Sequence, residues 1–126
     1  MSAARTKAIV IVDDDDGVRD STRVLLESYG YSTECFESAE VFLEKTEGRV
    51  GDCLLVEVQM PGMSGIKLLE HLRARGIQKP VILMTANVER LGDRAAQVGA
   101  LAILRKPFSE DALLEAIALV DKTSED

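Results

Sequence analysis

Five side chains in this sequence have types that could act together: the paired acids Asp13 and Asp14, Glu57, Thr85 and Lys106. Carboxylates and a backbone carbonyl suit a hard cation such as magnesium or manganese, held by few protein ligands and several waters. A cation with open positions, next to a hydroxyl and a lysine, makes a place for a phosphoryl group. Singly, each residue is ordinary. An acidic run such as Asp13 to Asp16 serves more often as a solvated turn or helix cap. Thr85 and Lys106 alone would pass for a strand residue and a surface lysine. Their meaning depends on whether the fold brings them to one place.

The elements that would position them follow from hydrophobic patterning. Ala8 to Val12 and Cys53 to Val58 are apolar on both parities, as in strands buried in a parallel sheet. Glu57 lies near the carboxyl end of the second run, where open α/β sheets bind ligands. An ionised carboxylate there needs a cation or hydrogen bonds, because burying it alone is costly. Tyr31 to Phe36 alternates with polar residues and carries Glu34, which fits a sheet edge. Val81 to Thr85 and Leu101 to Leu104 complete five strands. Between them fall helices at about Gly17 to Tyr29 (stripe Val18, Leu25, Leu26, Tyr29) and from Ser38 with Phe42 and Leu43 inward. Three more follow: Gly65 to Arg75 with Leu68, Leu69 and Leu72 inward, Glu89 to Val98, and one capped near Ser109 with Leu113, Ile117 and Val120 inward. Strict alternation predicts a doubly wound five-stranded parallel sheet covered by helices on both faces. Asp13 and Asp14 then follow the first strand, Glu57 and Thr85 end the third and fourth, and Lys106 follows the fifth. All five share the carboxyl edge, in one solvated crevice.

At 126 residues the chain fits a single domain, with its core at about residues 7–120 and frayed ends at Met1 to Lys7 and Lys122 to Asp126. The formal charge of -7 argues against nucleic acid as a direct partner, since phosphate neutralisation drives such binding. No apolar run reaches the ~20 residues that cross a bilayer. Cys35 and Cys53 sit in strand-like runs and read as small buried hydrophobes in a reducing, cytoplasmic setting.

Over about Lys7 to Val120 the chain resembles the bacterial two-component response-regulator receiver domain. The motifs that carry the resemblance are Ile11-Val12-Asp13-Asp14-Asp15, Met60-Pro61-Gly62-Met63-Ser64-Gly65, Met84-Thr85-Ala86, Gly99-Ala100 and Lys106-Pro107-Phe108. The resemblance implies a flavodoxin-like sheet of order 2-1-3-4-5. It implies that Asp14 binds magnesium directly, Asp13 largely through water, and Gln59 through its main-chain carbonyl. Lys106 would contact a phosphoryl oxygen from a cis peptide to Pro107, and Thr85 would report phosphorylation to a surface at about Glu89 to Val120. It also implies a sensor histidine kinase or histidine phosphotransfer protein as donor and a downstream protein as receiver of the signal.

Three departures stand out. Glu57 occupies the position of the family's phosphoryl-accepting aspartate, and its extra methylene displaces the attacking oxygen. Errors of about 1 Å can cost ~10²-fold in such chemistry. Ile103 stands where the family usually has a Phe or Tyr that swings with the threonine, and is either a replaced switch or plain packing. The span from Thr85 to Gly99 is one residue short. The expectation is a stand-alone signalling module rather than an enzyme, with acceptance by Glu57 impaired or its charge imitating phosphorylation. Two origins of Glu57 stay open: an introduced replacement of the acceptor, or a natural receiver that works without phosphorylation. Two other readings also remain: a phosphatase or hydrolase with Glu57 as general base, and a phosphorylation-independent pseudo-receiver.

Overall fold

The computed structural model describes residues 7–123. Strands β1 (Ala8–Val12), β2 (Ser32–Phe36), β3 (Cys53–Glu57), β4 (Val81–Thr85) and β5 (Ala102–Arg105) form one sheet of order β2-β1-β3-β4-β5. Every neighbouring pair is parallel, as the alternation of elements requires. Strands β1, β3 and β4 fill the centre, and all five residues of β3 and of β4 are buried. At the edge, β2 exposes Ser32 and Glu34. The frame is the doubly wound one expected.

Helices α1 (Asp16–Ser28), α2 (Ala39–Thr46), α3 (Gly65–Ala74), α4 (Arg94–Gln97) and α5 (Glu110–Thr123) cover the two faces. Alternation along the strands splits the core accordingly. One cluster joins Val10, Val12, Leu54, Val56, Val81 and Leu83 to Phe42 of α2, Leu68, Leu69 and Leu72 of α3 and Ala95 of α4. Phe36 packs edge-on against Phe42, with ring centroids 5.6 Å apart. The other cluster joins Ile9, Ile11, Cys53, Leu55, Ile82 and Met84 to Leu26 of α1 and Leu113, Ile117 and Val120 of α5. Each of these α5 residues contributes about 1.5–3 kcal/mol by leaving water.

Helix starts follow local chemistry. Asp15 accepts from Val18 N at 3.0 Å, Ser38 from Val41 N at 3.0 Å and Ser64 from Lys67 N at 3.1 Å, each satisfying a free donor of a first turn. Tyr29, expected on the buried stripe of α1, is 51% exposed. It caps that helix instead of continuing it, and its hydroxyl donates to Glu110 on α5. Cys53 is fully buried as expected, and burial pushes its thiol up to about 12. Cys35 is only half-buried.

The largest difference from expectation lies between β4 and β5. A single helix over Glu89 to Val98 is replaced by a 3-10 turn at Val88–Leu91 and the one-turn α4. Gly92, at φ 55°, separates the two, and Asp93 opens α4 without a side-chain cap. Fraying expected at Met1 to Lys7 and Lys122 to Asp126 concerns residues mostly outside those described, although α5 itself continues through Thr123.

Candidate functional site

Register explains which polar groups meet. Asp13 continues the row of Ile9 and Ile11, and Glu57 the row of Cys53 and Leu55, so both lie on the α1/α5 side of the sheet. Lys106 continues from Leu104 on that same side. Its ammonium donates to Asp13 Oδ2 at 2.7 Å and to Glu57 Oε1. The other oxygens are also engaged: Asp13 Oδ1 accepts from Asp15 N at 2.9 Å, and Glu57 Oε2 from Gln59 N at 3.1 Å. Two carboxylates and one ammonium thus form a closed cluster at the carboxyl edge.

Burial sharpens the electrostatics. Asp13 is 0% exposed and Glu57 6% exposed. The solvated crevice expected around Glu57 is therefore not found, because its side chain turns under Lys106 and the Gln59 amide. Burial lowers the Lys106 pKa, but the hydrogen bonds it donates to Asp13 and Glu57 and their charges outweigh it, so the net shift is upward. Lys106 is an ammonium throughout the physiological range. The peptide between Lys106 and Pro107 is cis, as the resemblance implied.

Asp14 does not join the cluster. It is exposed and makes no side-chain hydrogen bond or ion pair among the described residues. Asp14 sits in the bend that follows β1, with its side chain open to solvent. The expected convergence of three carboxylates is accordingly reduced to two, and no group of three or more His, Cys, Asp or Glu close enough to hold a metal occurs among the described residues.

Thr85 lies across the sheet from the cluster. It extends the row of Val81 and Leu83 on the α3/α4 side, is 1% exposed, and accepts from Asn87 N at 3.1 Å. Its register partner is Arg105, and Leu83 pairs with Ile103, so Thr85 and Ile103 are diagonal neighbours on one face. Ile103 is half-buried and packs against the α2/α3/α4 core. Thr85→Val keeps the shape and removes the acceptor for Asn87 N. The expected cost is about 1 kcal/mol in a urea melt, and an unchanged midpoint would show that the bond contributes nothing.

Two supports escaped the sequence reading. Arg19 Nη1 donates to the Asp13 carbonyl at 2.6 Å, fixing the residue that carries the buried carboxylate. Glu40 of α2 accepts from Met63 N at 2.7 Å and steadies the loop after Glu57. The signal for Arg19 was its place one turn inside α1, facing back over the acidic run. Glu40 left no readable signal, because its partner lies 23 residues away. Gly65 is required for a different reason. A Cβ there would come within 2.4 Å of the Glu57 carbonyl oxygen, so only glycine allows α3 to start against β3.

Comparison with known proteins agrees with this fold. A family model described as the response regulator receiver domain matches residues 9–118. The transcriptional regulatory protein FixJ of Bradyrhizobium diazoefficiens is 36% identical over 110 residues, which cover 86% of this chain and 54% of FixJ. The response regulator protein TodT of Pseudomonas putida is 38% identical over 114 residues, covering 90% and 50%. The structure of the response regulator StyR superposes with a TM-score of 0.83 at 41% identity, covering 94% of this chain and 61% of that one. The chain spans about half the length of the curated relatives it matches. With the sheet order and these matches in agreement, the chain belongs to the response regulator receiver domain family.

Proposed function

We propose that this receiver relays its signal by protein contact from a site whose central charge is already in place. The observation that supports this is the Lys106 ammonium shared by Asp13 and Glu57. Glu57 stands where the family accepts a phosphoryl group, and its own carboxylate has taken up the lysine that would meet a phosphoryl oxygen. A carboxylate so engaged is a poor nucleophile: it is displaced by a methylene, and its charge is shared with an ammonium. It is also a partial imitation of the modified state, with one negative charge where a phosphoryl group carries up to about two. The upstream partner on this reading is a sensor histidine kinase or a histidine phosphotransfer protein, and the downstream partner is a protein.

The donor chemistry suits magnesium or manganese. Carboxylate oxygens of Asp13, Asp14 and Glu57 and the Gln59 carbonyl are hard ligands, and with Lys106 their formal charge is -2. Bound there, the ion would neutralise an approaching phosphoryl group. Lys106 opposes its entry by holding one oxygen of each buried carboxylate. Affinity should consequently be low, and thermal melting against magnesium concentration measures it. We expect a small upward shift at millimolar magnesium by mass action, lost in Asp14→Ala. No shift in either protein would remove the cation from the proposal. The hydrolase reading gains no support from this geometry, since both Glu57 oxygens are hydrogen-bonded and neither is offered to a water as a base.

A further inference from the structure

A second site lies at the opposite end of the sheet. A cavity of about 620 Å³ opens at the amino edge, where chain segments enter β1, β4 and β5. That size falls within the range of small-molecule pockets. Its apolar lining includes Pro80, Leu101 and Val120, and its cations are Lys7, Arg73 and Lys79. Asp52 also lines it, but its Oδ2 accepts from Ala8 N at 2.8 Å. Lys7 is within 3.5 Å of Asp121.

Arg73 differs from both. Its guanidinium donates to the carbonyls of Ile77 at 2.8 Å, Lys79 at 3.0 Å and Gly99 at 3.0 Å, and meets no carboxylate among the described residues. Three carbonyls fix its position without cancelling its charge. Lys79 likewise makes no ion pair among the described residues. Arg73 and Lys79 thus give the cavity two cations with no carboxylate partner among the described residues, in a chain of charge -7.

We propose that the amino-edge cavity binds a small organic anion with an apolar body, its carboxylate on Arg73 and Lys79 and its chain along Pro80, Leu101 and Val120. The proposal does not depend on the reading of the Glu57 site. The probe is octanoate, with octanamide as the neutral control and inorganic phosphate as the bare anion, followed by amide NMR shifts of the whole chain. Octanoate is expected to move the amides of Lys79 and Gly99 to Leu101, with little change at either control at about 10 mM. Lys79→Glu, at an exposed position, should weaken octanoate at least about fivefold and leave the melting temperature unchanged. Arg73→Gln should weaken it further but also loosens three carbonyls, so Lys79→Glu decides. Absence of localised shifts, equal binding of octanamide or phosphate, or undiminished binding by Lys79→Glu would each overturn the proposal.

Discussion

Glu57→Asp should convert a protein that takes no label from a small phosphodonor into one that does. The substitution removes one methylene, withdraws the carboxylate toward β3, and frees the Lys106 ammonium from one of its two partners. Asp13, Asp14 and Lys106 remain in place, and phosphoryl transfer depends chiefly on positioning and electrostatic stabilisation. A gain of at least about 10²-fold in labelling with magnesium is the expected size, being what an ångström of misplacement costs. The fold should tolerate the change at roughly 1–2 kcal/mol, since a shortened side chain can still accept from Gln59 N but loses its reach to Lys106. Further change of Asp14 or Lys106 should abolish the label. Equal labelling of the unchanged protein would refute the account of Glu57, and an inert Glu57→Asp variant would place the defect elsewhere in the site.

Lys106→Met should be the most destabilising single change at the site. It leaves Asp13 and Glu57 buried, each with one amide donor and no cation. Breaking a buried pair in this way costs about 3–5 kcal/mol, a large part of the 5–15 kcal/mol typical of a folded domain. The reading is a lower urea midpoint at neutral pH with the slope unchanged. Magnesium should now stabilise the variant more than the parent, because the competing ammonium is gone. The pH dependence has a definite sign. The folded-state pKa of Lys106 is raised above its ordinary 10.5, so its contribution is complete below that value and fades as pH climbs through the higher folded one. The parent should lose stability above about pH 10.5 more steeply than Lys106→Met. A midpoint within about 1 kcal/mol of the parent would mean that the cluster is not held by its lysine.

The sheet was readable because its signals are local and redundant. Ala8 to Val12, Cys53 to Glu57 and Val81 to Thr85 are short runs, apolar on both parities, and their length and alternation with helical patterns favour buried parallel strands. The sharing of one edge by Asp13, Glu57, Thr85 and Lys106 followed from topology alone. Which side of the sheet each takes did not. Thr85 and Lys106 fall on opposite faces because their strand rows differ in parity, and Asp14 stays exposed in the bend after β1. The Lys106 bonds reach back 93 and 49 residues, and the length of a glutamate arm decides one of them. The broken helix was misread for a simpler reason: Leu91, Ala95 and Val98 keep a helical spacing across Gly92 and Asp93, which interrupt the backbone.

That interruption sets the energy scale of the α4 region. Neither the turn at Val88–Leu91 nor the four residues of α4 is long enough to hold itself helical, and only Ala95 among their residues is buried. Opening this stretch exposes chiefly Leu91, Ala95 and Val98, and is expected to cost less free energy than opening the buried strands β1 and β3. On the proposed reading, a protein that bound this stretch would have to do little work to reshape it. The acidic edge fixes the charge, and the short helical pieces between β4 and β5 make the surface inexpensive to remould.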